Sequence, residues 1–159
     1  MSELRVGLGY DAHVLEEGVP LVLGGVAIDY PRGLAGHSDG DVIAHALIDA
    51  VLGAADLGDI GTLFPSGDEQ YRGASSLDLL WEAYREVREA GWELVNADCV
   101  LVGEEPRIGE IRGDMSERLA AALGVERGLV SVRATTTDGL GFTGRGEGLA
   151  AQAVALLRR

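Results

Sequence analysis

The segment Gly-Tyr-Asp-Ala-His-Val at residues 9–14 places an aspartate and a histidine two positions apart within a largely apolar stretch. In a β-strand, side chains at positions i and i+2 point to the same face, so Asp11 and His13 would stand side by side. A buried carboxylate beside an imidazole is costly unless both groups have partners. One interpretation is an Asp–His hydrogen bond at a strand end, and the other is a pair of metal ligands that needs a third.

A third ligand is available in the segment 41–55, where apolar residues recur with a period near 3.6 and predict a helix. Zinc with a catalytic role commonly takes three protein ligands and keeps a fourth position open. Asp11, His13 and His45 would form such a set. Asp49, one turn after His45, would then orient it from outside the metal shell. The alternative is that neighbouring aspartates, rather than a metal, provide the hydrogen-bond partners of His45.

The composition suits one domain over residues 1–159, with 47% hydrophobic residues for a core. No run of about 18 apolar residues predicts a membrane span, and the first residues lack the basic-then-apolar pattern of a signal peptide. Cys99 is the only cysteine, so no disulfide forms within the chain. These features predict a cytoplasmic protein without a membrane partner.

The net charge of −13 argues against a nucleic-acid partner. All 13 basic residues are arginine, which excludes Schiff-base chemistry and any phosphate loop that depends on lysine. An anionic substrate would be repelled by the charge of the whole chain. Metal ions or local arginines would therefore have to supply positive charge at the site.

The elements that position these residues can be predicted from periodicity and from turn residues. The order β-β-α-α-β-α-β-β indicates an α+β sandwich, with one mixed sheet and helices on one face. Ser38 or Asp39 is a candidate cap for the first helix, and the loop at 57–76 is long enough to be a binding loop or lid. The predicted strands are 4–10, 21–28, 92–102, 129–137 and 148–157, the helices are 41–55, 77–90 and one from Pro106 to 123, and 139–148 is a glycine-rich loop.

Four stretches together resemble the 2-C-methyl-D-erythritol 2,4-cyclodiphosphate synthase family. They read GYDAHVL from Gly9, GHSDGDVIAHALIDA from Gly36, DIGTLFP from Asp59 and ATTTDGLGFTGRGEG from Ala134. The resemblance extends from Val6 to about residue 157, and it implies a homotrimer whose active sites are shared between subunits. It also implies a phosphorus–oxygen lyase of the non-mevalonate isoprenoid pathway. That enzyme cyclises 4-diphosphocytidyl-2-C-methyl-D-erythritol 2-phosphate and releases CMP.

The resemblance also implies roles for individual residues. Asp11, His13 and His45 match ligands of one Zn²⁺ per subunit, and Asp138 matches a ligand of Mg²⁺ or Mn²⁺ bound with the substrate. His37 and Thr136 match catalytic positions. Five of these six residues, all except His45, also match substrate contacts. The other positions that match substrate contacts are Ala12, Ser38, Asp59, Ile60, Gly61, Phe64, Pro65, Ser66, Gly67, Asp68, Gly103, Pro106, Arg107, Ile108, Thr135 and Thr137.

Phe142 and Arg145 match residues near a cavity on the trimer axis, where some family members hold an isoprenoid diphosphate. A structural ion pair between Arg145 and Glu147 is the alternative. The run Thr-Thr-Thr-Asp could likewise be ordinary strand residues followed by a turn. Three positions depart from the usual family pattern, since Ser66 replaces an aspartate, Asp138 replaces a glutamate and Arg107 replaces a lysine. A zinc-dependent phosphoester hydrolase and an inactive isoprenoid-binding trimer are the alternative functions.

Overall fold

The structure is a computed structural model and describes residues 2–159. Its elements in chain order are β1 (Leu4–Glu17), β2 (Leu21–Leu23), β3 (Val26–Ile28), β4 (Arg32–Leu34), α1 (Val42–Ala54), α2 (Ile60–Leu63), α3 (Ser76–Glu89), β5 (Glu93–Val102), α4 (Arg112–Leu123), β6 (Val130–Thr135), α5 (Gly141–Gly144) and β7 (Gly148–Arg158). Two short 3-10 turns, Glu69–Tyr71 and Arg127–Leu129, complete the described chain.

The main sheet has five strands in the order β4-β1-β7-β5-β6. Strand β7 pairs antiparallel with β1 on one side and with β5 on the other, whereas β5 and β6 are parallel. The prediction of an α+β fold with a mixed sheet is therefore confirmed. Strands β2 and β3 form a separate two-stranded hairpin.

The predicted strand 21–28 was wrong as a single element, because it folds into this hairpin. Gly24 and Gly25 form its turn with φ of 56° and 76°. Positive φ at both central residues is the requirement of a tight hairpin turn, and glycine meets it without steric cost. The Asp41 carboxylate accepts hydrogen bonds from both turn amides, at 2.9 and 2.7 Å.

Helix boundaries also differ from the prediction. Helix α1 begins after Asp41, which accepts the Ala44 N–H at 3.1 Å, so neither Ser38 nor Asp39 is the cap. Helix α4 begins at Arg112 rather than at Pro106, which lies in the preceding loop after a cis peptide bond. The predicted loop 57–76 contains α2 and the first 3-10 turn.

Helix α1 lies directly on the sheet because the contact surfaces are made of small residues. A Cβ atom at Gly9 would collide with the carbonyl oxygen of Ala46, and one at Gly7 with the backbone of Ala50 and Ala54. Glycine in β1 and alanine in α1 thus let two backbones approach closely, and nearly all of α1 is buried. This packing fixes the distance between the residues of β1 and those of α1.

The opposite face of the sheet is open. On β1, Val6 and Leu8 are each 67% exposed, and Tyr10, Val14 and Val154 of the same face are also exposed. A contiguous apolar surface of this kind marks an interaction site. No helix within residues 2–159 combines the length and the apolar character needed to cross a bilayer.

Candidate metal centre and active site

Three side chains converge where α1 crosses β1. The Asp11 Oδ2 atom lies 2.8 Å from His13 Nε2 and 3.0 Å from His45 Nδ1. The two histidine nitrogens are 3.4 Å apart. Strand β1 continues through Glu17, so Asp11 and His13 share a face as the spacing predicts, and the close packing of α1 brings His45 to them. Asp11, His13 and His45 form a candidate metal site, as expected from the sequence.

The geometry of this cluster fits a tetrahedral ion. A metal held by nitrogen and oxygen ligands at about 2.0–2.1 Å separates its ligand atoms by roughly 3.3 Å. The observed separations of 2.8, 3.0 and 3.4 Å need only a few tenths of an ångström of adjustment, as an order-of-magnitude estimate. One carboxylate and two imidazoles are also a common donor set for catalytic zinc.

The ionisation of these groups suits metal binding. Burial opposes ionisation of Asp11, but hydrogen bonds with His13 and His45 lower the pKa of its carboxyl group to about 2. Asp11 is therefore an anionic ligand at neutral pH. The hydrogen bond with Asp11 raises the pKa of His13 in spite of its partial burial. A metal ion at this position would compete with the proton on His13.

The outer partners of His45 differ from the sequence prediction. Its Nε2 atom lies 2.8 Å from the Ser76 hydroxyl and 3.1 Å from the Ser38 hydroxyl. Asp49 is not hydrogen-bonded to His45, since its carboxylate accepts the Ile60 N–H at 2.8 Å. The prediction that Asp49 orients His45 is therefore wrong, because its side chain reaches the start of α2 instead. The partners of His45 come from the loop before α1 and from the first residue of α3.

The metal cluster opens into a pocket of about 200 Å³. Its walls come from β1, α1, the loop before α1 and the segment 57–76. The lining residues are Asp11, His13, His37, Ser38, His45, Ile60, Gly61, Phe64, Ser66, Tyr71 and Leu79. Nine of these eleven were predicted as substrate or metal contacts, and Tyr71 and Leu79 were not. The structure therefore brings one half of the predicted site together.

The segment 57–76 is folded over this pocket by local hydrogen bonds. Asp59 caps α2 by accepting the Thr62 N–H at 2.8 Å, and its carboxylate is exposed. His37 donates its Nε2–H to the Asp68 carbonyl at 2.8 Å, which ties the loop before α1 to this segment. Pro65 and Gly67 are exposed beside the pocket rather than lining it.

The predicted phosphate-binding residues lie elsewhere, on the threonine turn, which we define as residues Thr135–Gly139. In the sheet, Ala12 pairs with Ala150, which pairs with Val102, which pairs with Thr135. Three strand spacings of about 4.8 Å place the threonine turn roughly 14 Å from β1. The turn is therefore at the same end of the sheet as the metal cluster but not in its pocket.

The threonine turn is exposed except at Thr137, which is half-buried and whose hydroxyl is hydrogen-bonded to the Leu140 carbonyl at 2.7 Å and to the Thr143 hydroxyl at 2.9 Å. The Thr136 hydroxyl lies 3.3 Å from an Asp138 carboxylate oxygen. Asp138 has φ of 52°, a left-handed conformation that aspartate tolerates better than most residues. Gly139 donates its N–H to Glu104 Oε1 at 2.9 Å, while Glu104 Oε2 is buried without a partner among residues 2–159.

The remaining predicted residues fall into two places. In the loop after β5, Gly103 and Pro106 are partly buried, Arg107 is exposed and Ile108 is buried in the core. Ala12 and Phe142 line a second cavity of about 260 Å³, formed with His13, Val14, Glu147 and Gly148. Arg145 pairs with Glu147 at 2.7 Å, which is the ion pair that was kept as an alternative.

Sequence reasoning missed Ser76, Asp39 and Glu104. Asp39 and Ser76 are 37 residues apart, and Glu104 and Gly139 are 35 apart. No periodicity links residues at such separations. The polar run His-Ser-Asp before α1 was the available signal for Asp39, but it was interpreted as a helix cap.

Comparisons with known proteins establish the family of the chain. The model of the YgbB family matches residues 4–158. The 2-C-methyl-D-erythritol 2,4-cyclodiphosphate synthase of Moorella thermoacetica is 60% identical over 154 residues, which cover 97% of this chain and 94% of that protein.

Two solved structures share the fold. The bifunctional IspDF of Campylobacter jejuni matches with a TM-score of 0.96 and 44% identity, over 99% of this chain and 43% of that chain. A 2C-methyl-D-erythritol-2,4-cyclodiphosphate synthase in a CDP-bound form matches with a TM-score of 0.87 and 40% identity, over 96% of this chain and 99% of that one. By its match along almost its whole length, the chain belongs to the YgbB family, together with the 2-C-methyl-D-erythritol 2,4-cyclodiphosphate synthases.

Proposed function

We propose that this chain converts 4-diphosphocytidyl-2-C-methyl-D-erythritol 2-phosphate to 2-C-methyl-D-erythritol 2,4-cyclodiphosphate and CMP. It is an enzyme of the non-mevalonate isoprenoid precursor pathway, a cyclising phosphorus–oxygen lyase. The observation that carries this function is the cluster of Asp11, His13 and His45 in a pocket. The chain that holds this cluster is 60% identical to a 2-C-methyl-D-erythritol 2,4-cyclodiphosphate synthase.

The reaction suits the residues that are present. The nucleophile is the 2-phosphate of the substrate itself, so the site needs no strong general base. Catalysis then depends on folding the substrate into attack geometry and on stabilising charge at the β-phosphorus. Pocket residues such as His37, Ser38 and Ile60 would hold the methylerythritol end.

Asp11, His13 and His45 would hold one Zn²⁺ per subunit, and the donor set and spacings support this assignment. When bound, the ion supplies Lewis-acid polarisation of a phosphate oxygen. Asp138 would hold Mg²⁺ or Mn²⁺ together with the substrate phosphates, and its exposed carboxylate is free to do so. The hydroxyls of the threonine turn would contact the same phosphates, and Gly103, Pro106, Arg107 and Ile108 the cytidine.

The complete site is proposed to form between subunits of a homotrimer. Two observations support this arrangement. The metal pocket and the threonine turn are separated by roughly 14 Å across the sheet, and the open sheet face exposes Val6, Leu8 and Tyr10. Burying such residues against a second copy would stabilise an assembly by about 25 cal/mol per Å² of apolar surface.

Three further assignments extend the proposal. Residues 1–159 form a single catalytic domain, and the enzyme works in the cytoplasm. The cavity beside Phe142 would hold an isoprenoid diphosphate on the trimer axis, with Arg145 contacting the diphosphate. The ion pair of Arg145 with Glu147 would have to open for that contact.

The two alternative functions are not favoured. A family of named synthases, similar over nearly the whole chain, argues against a hydrolase that acts on an open substrate. An inactive isoprenoid-binding protein would have no need for the intact metal cluster.

The function is tested by incubating the pure protein with the cytidyl substrate and Mg²⁺ and following the products by phosphorus NMR. We expect CMP and a cyclic diphosphate in equal amounts. Release of inorganic phosphate in place of the cyclic product would contradict the cyclase and support the hydrolase. Omitting Mg²⁺ is the control for the second metal.

A further inference from the structure

We propose that Ser76 and Asp39 are positioning residues that keep the proton of His45 on Nε2 and thereby present Nδ1 to the metal. The inference rests on the proposed metal centre and names two residues to which the sequence assigned no such role. It depends on which atoms can donate and which can only accept.

The direction of each hydrogen bond follows from the Asp39 carboxylate. Its Oδ1 atom is hydrogen-bonded to the Ser76 hydroxyl. An ionised carboxylate only accepts, so Ser76 must donate its single proton to Asp39. The Ser76 oxygen then faces His45 Nε2, at 2.8 Å, with its lone pairs. Nε2 must therefore carry a proton, because an unprotonated Nε2 would face these lone pairs with its own, and the Ser38 hydroxyl at 3.1 Å from Nε2 is a second acceptor. Without metal, Nδ1 donates to Asp11 Oδ2 at 3.0 Å. A bound metal would take the place of that Nδ1 proton, while the proton on Nε2 is kept.

The backbone holds this arrangement in place. Ser76 is fully buried and donates its own N–H to Asp39 Oδ2 at 3.0 Å. Asp39 in turn donates its N–H to the Ala74 carbonyl at 3.1 Å, and its carboxylate accepts the Asp41 N–H at 3.1 Å. Both oxygens of Asp39 are thus fixed, and the carboxylate cannot turn away from Ser76.

The arrangement also affects the strength of the metal site. A carboxylate that accepts the far proton of a ligand histidine, here through one hydroxyl, fixes the ring orientation and raises ligand basicity. Losing such a partner typically lowers metal affinity by about 10- to 100-fold. Ser76 is also the residue at which the pocket-covering segment 57–76 ends, so the same side chain connects that segment to the metal ligand.

The test measures zinc affinity by competition with a chromophoric chelator, for the full chain and three variants. We expect Ser76→Ala to weaken zinc binding about 10- to 100-fold, since nothing then requires a proton on Nε2. Asp39→Asn keeps the shape but removes the anionic acceptor, and we expect a loss of about 10-fold.

Asp49→Asn is the matched control. It removes the charge of another carboxylate on the helix of His45, one whose pKa is raised by burial, but it breaks no hydrogen bond to His45. We expect a smaller loss of zinc affinity than for Asp39→Asn. Equal losses in these two variants would mean that charge alone matters, and the proposal would be wrong.

A spectroscopic readout separates positioning from general stability. In zinc-loaded protein, the Nε2 proton of His45 should give a nitrogen-15-coupled signal that exchanges slowly with water, among only three histidines. We expect this signal to be lost or to exchange rapidly in Ser76→Ala. Circular dichroism of the metal-free proteins checks that each variant is folded. If Ser76→Ala does not fold, the zinc affinity of Asp39→Asn tests the proposal.

The outcomes distinguish a failure of the proposed metal centre from a failure of the positioning role of Ser76 and Asp39. If wild-type protein takes up no zinc, the metal centre itself is wrong and the positioning role is excluded with it. If wild-type protein binds zinc and both folded variants bind it equally well, the metal centre stands and the role of Ser76 and Asp39 is overturned.

Discussion

The metal pocket and the threonine turn differ in how completely this chain builds them. In the pocket, Asp11, His13 and His45 contact one another, and their side chains are only 10–25% exposed. In the turn, Thr136 and Asp138 contact mainly each other, at 3.3 Å, and both are exposed. The comparison indicates that the pocket is organised before anything binds, whereas the turn lacks such organisation and, under the proposed function, would be completed by substrate, cation or a second subunit.

The physical origin of the difference lies in the packing beneath each region. Under the pocket, α1 sits on Gly7 and Gly9 at backbone contact, so His45 has little freedom. The turn follows the edge strand β6 and is tied to its neighbours through Glu104. Preorganised groups lose less entropy when they bind a ligand, and exposed groups adapt to it.

The largest effect should follow from removing a ligand in the organised half. His45→Ala removes a nitrogen ligand, and we expect the zinc content of the purified protein to approach zero. Loss of several kcal/mol of charge stabilisation would lower kcat by roughly 10³-fold. Elemental analysis and turnover on the cytidyl substrate measure both. Near-stoichiometric zinc in this variant would contradict the assignment.

Gly9→Ala tests whether close packing organises the pocket. The added methyl group meets the Ala46 carbonyl, so α1 must move away from the sheet. We expect a loss of about 3 kcal/mol in the free energy of unfolding, as for overpacked cores, with weaker zinc binding. Urea unfolding of the metal-free protein measures the change in the free energy of unfolding.

Gly53→Ala is the matched control for this packing test. Its Cβ would meet nothing within 4 Å on the exposed side of α1. We expect a gain of about 0.5–1 kcal/mol from helix propensity. Equal losses in both variants would show that the close approach at Gly9 is not special.

In the exposed half, Asp138→Asn should lower kcat about 10²-fold with a smaller effect on KM, because the cation that Asp138 would hold would stabilise charge mainly in the transition state. Raising Mg²⁺ or Mn²⁺ should restore part of the rate. Asp138→Glu, which restores the usual family length, should retain activity. If Asp138→Asn keeps full kcat at low Mg²⁺, Asp138 only shapes the turn.

The smallest expected loss of activity is that of mixed trimers, which test whether the metal pocket and the threonine turn of one active site come from different chains. His13→Ala and Asp138→Asn are each expected to be nearly inactive. Each mixed trimer would contain one intact site of three, so random subunit exchange at equal amounts should give about a quarter of wild-type activity. Absence of any recovery in trimers shown to be mixed by mass spectrometry would place the whole site within one chain.

The sequence predicted those parts of the site that depend on short-range periodicity. Asp11 and His13 lie on one face because strand side chains alternate, and His45 lies on a buried helix because apolar residues recur every 3.6 positions. The hairpin was also predictable, since Gly24 and Gly25 between apolar residues are a turn signal. The prediction missed the hairpin because it treated residues 21–28 as one apolar strand and disregarded the two glycines in the middle.

The remaining features depend on the path of the chain in space. Asp49 was chosen as the partner of His45 because it is one helical turn away, but helix geometry does not determine which nearby donor a carboxylate binds. The Asp49 carboxylate accepts a hydrogen bond from the Ile60 N–H at the start of α2. Ser76 reaches His45 from 31 residues further along the chain, through a loop whose course no local rule determines.

The position of β7 has a consequence for how the protein is made. Leu4 pairs with Arg158, and β7 lies between β1 and β5 although it is synthesised after the other six strands described within residues 2–159. Until it emerges, β1 lacks its main neighbour and the glycine surface beneath α1 has no support from the centre of the sheet. Pairing over such long sequence separations slows folding. The nascent chain should therefore remain unable to bind metal tightly until β7 has been synthesised, which release of stalled chains of increasing length would reveal.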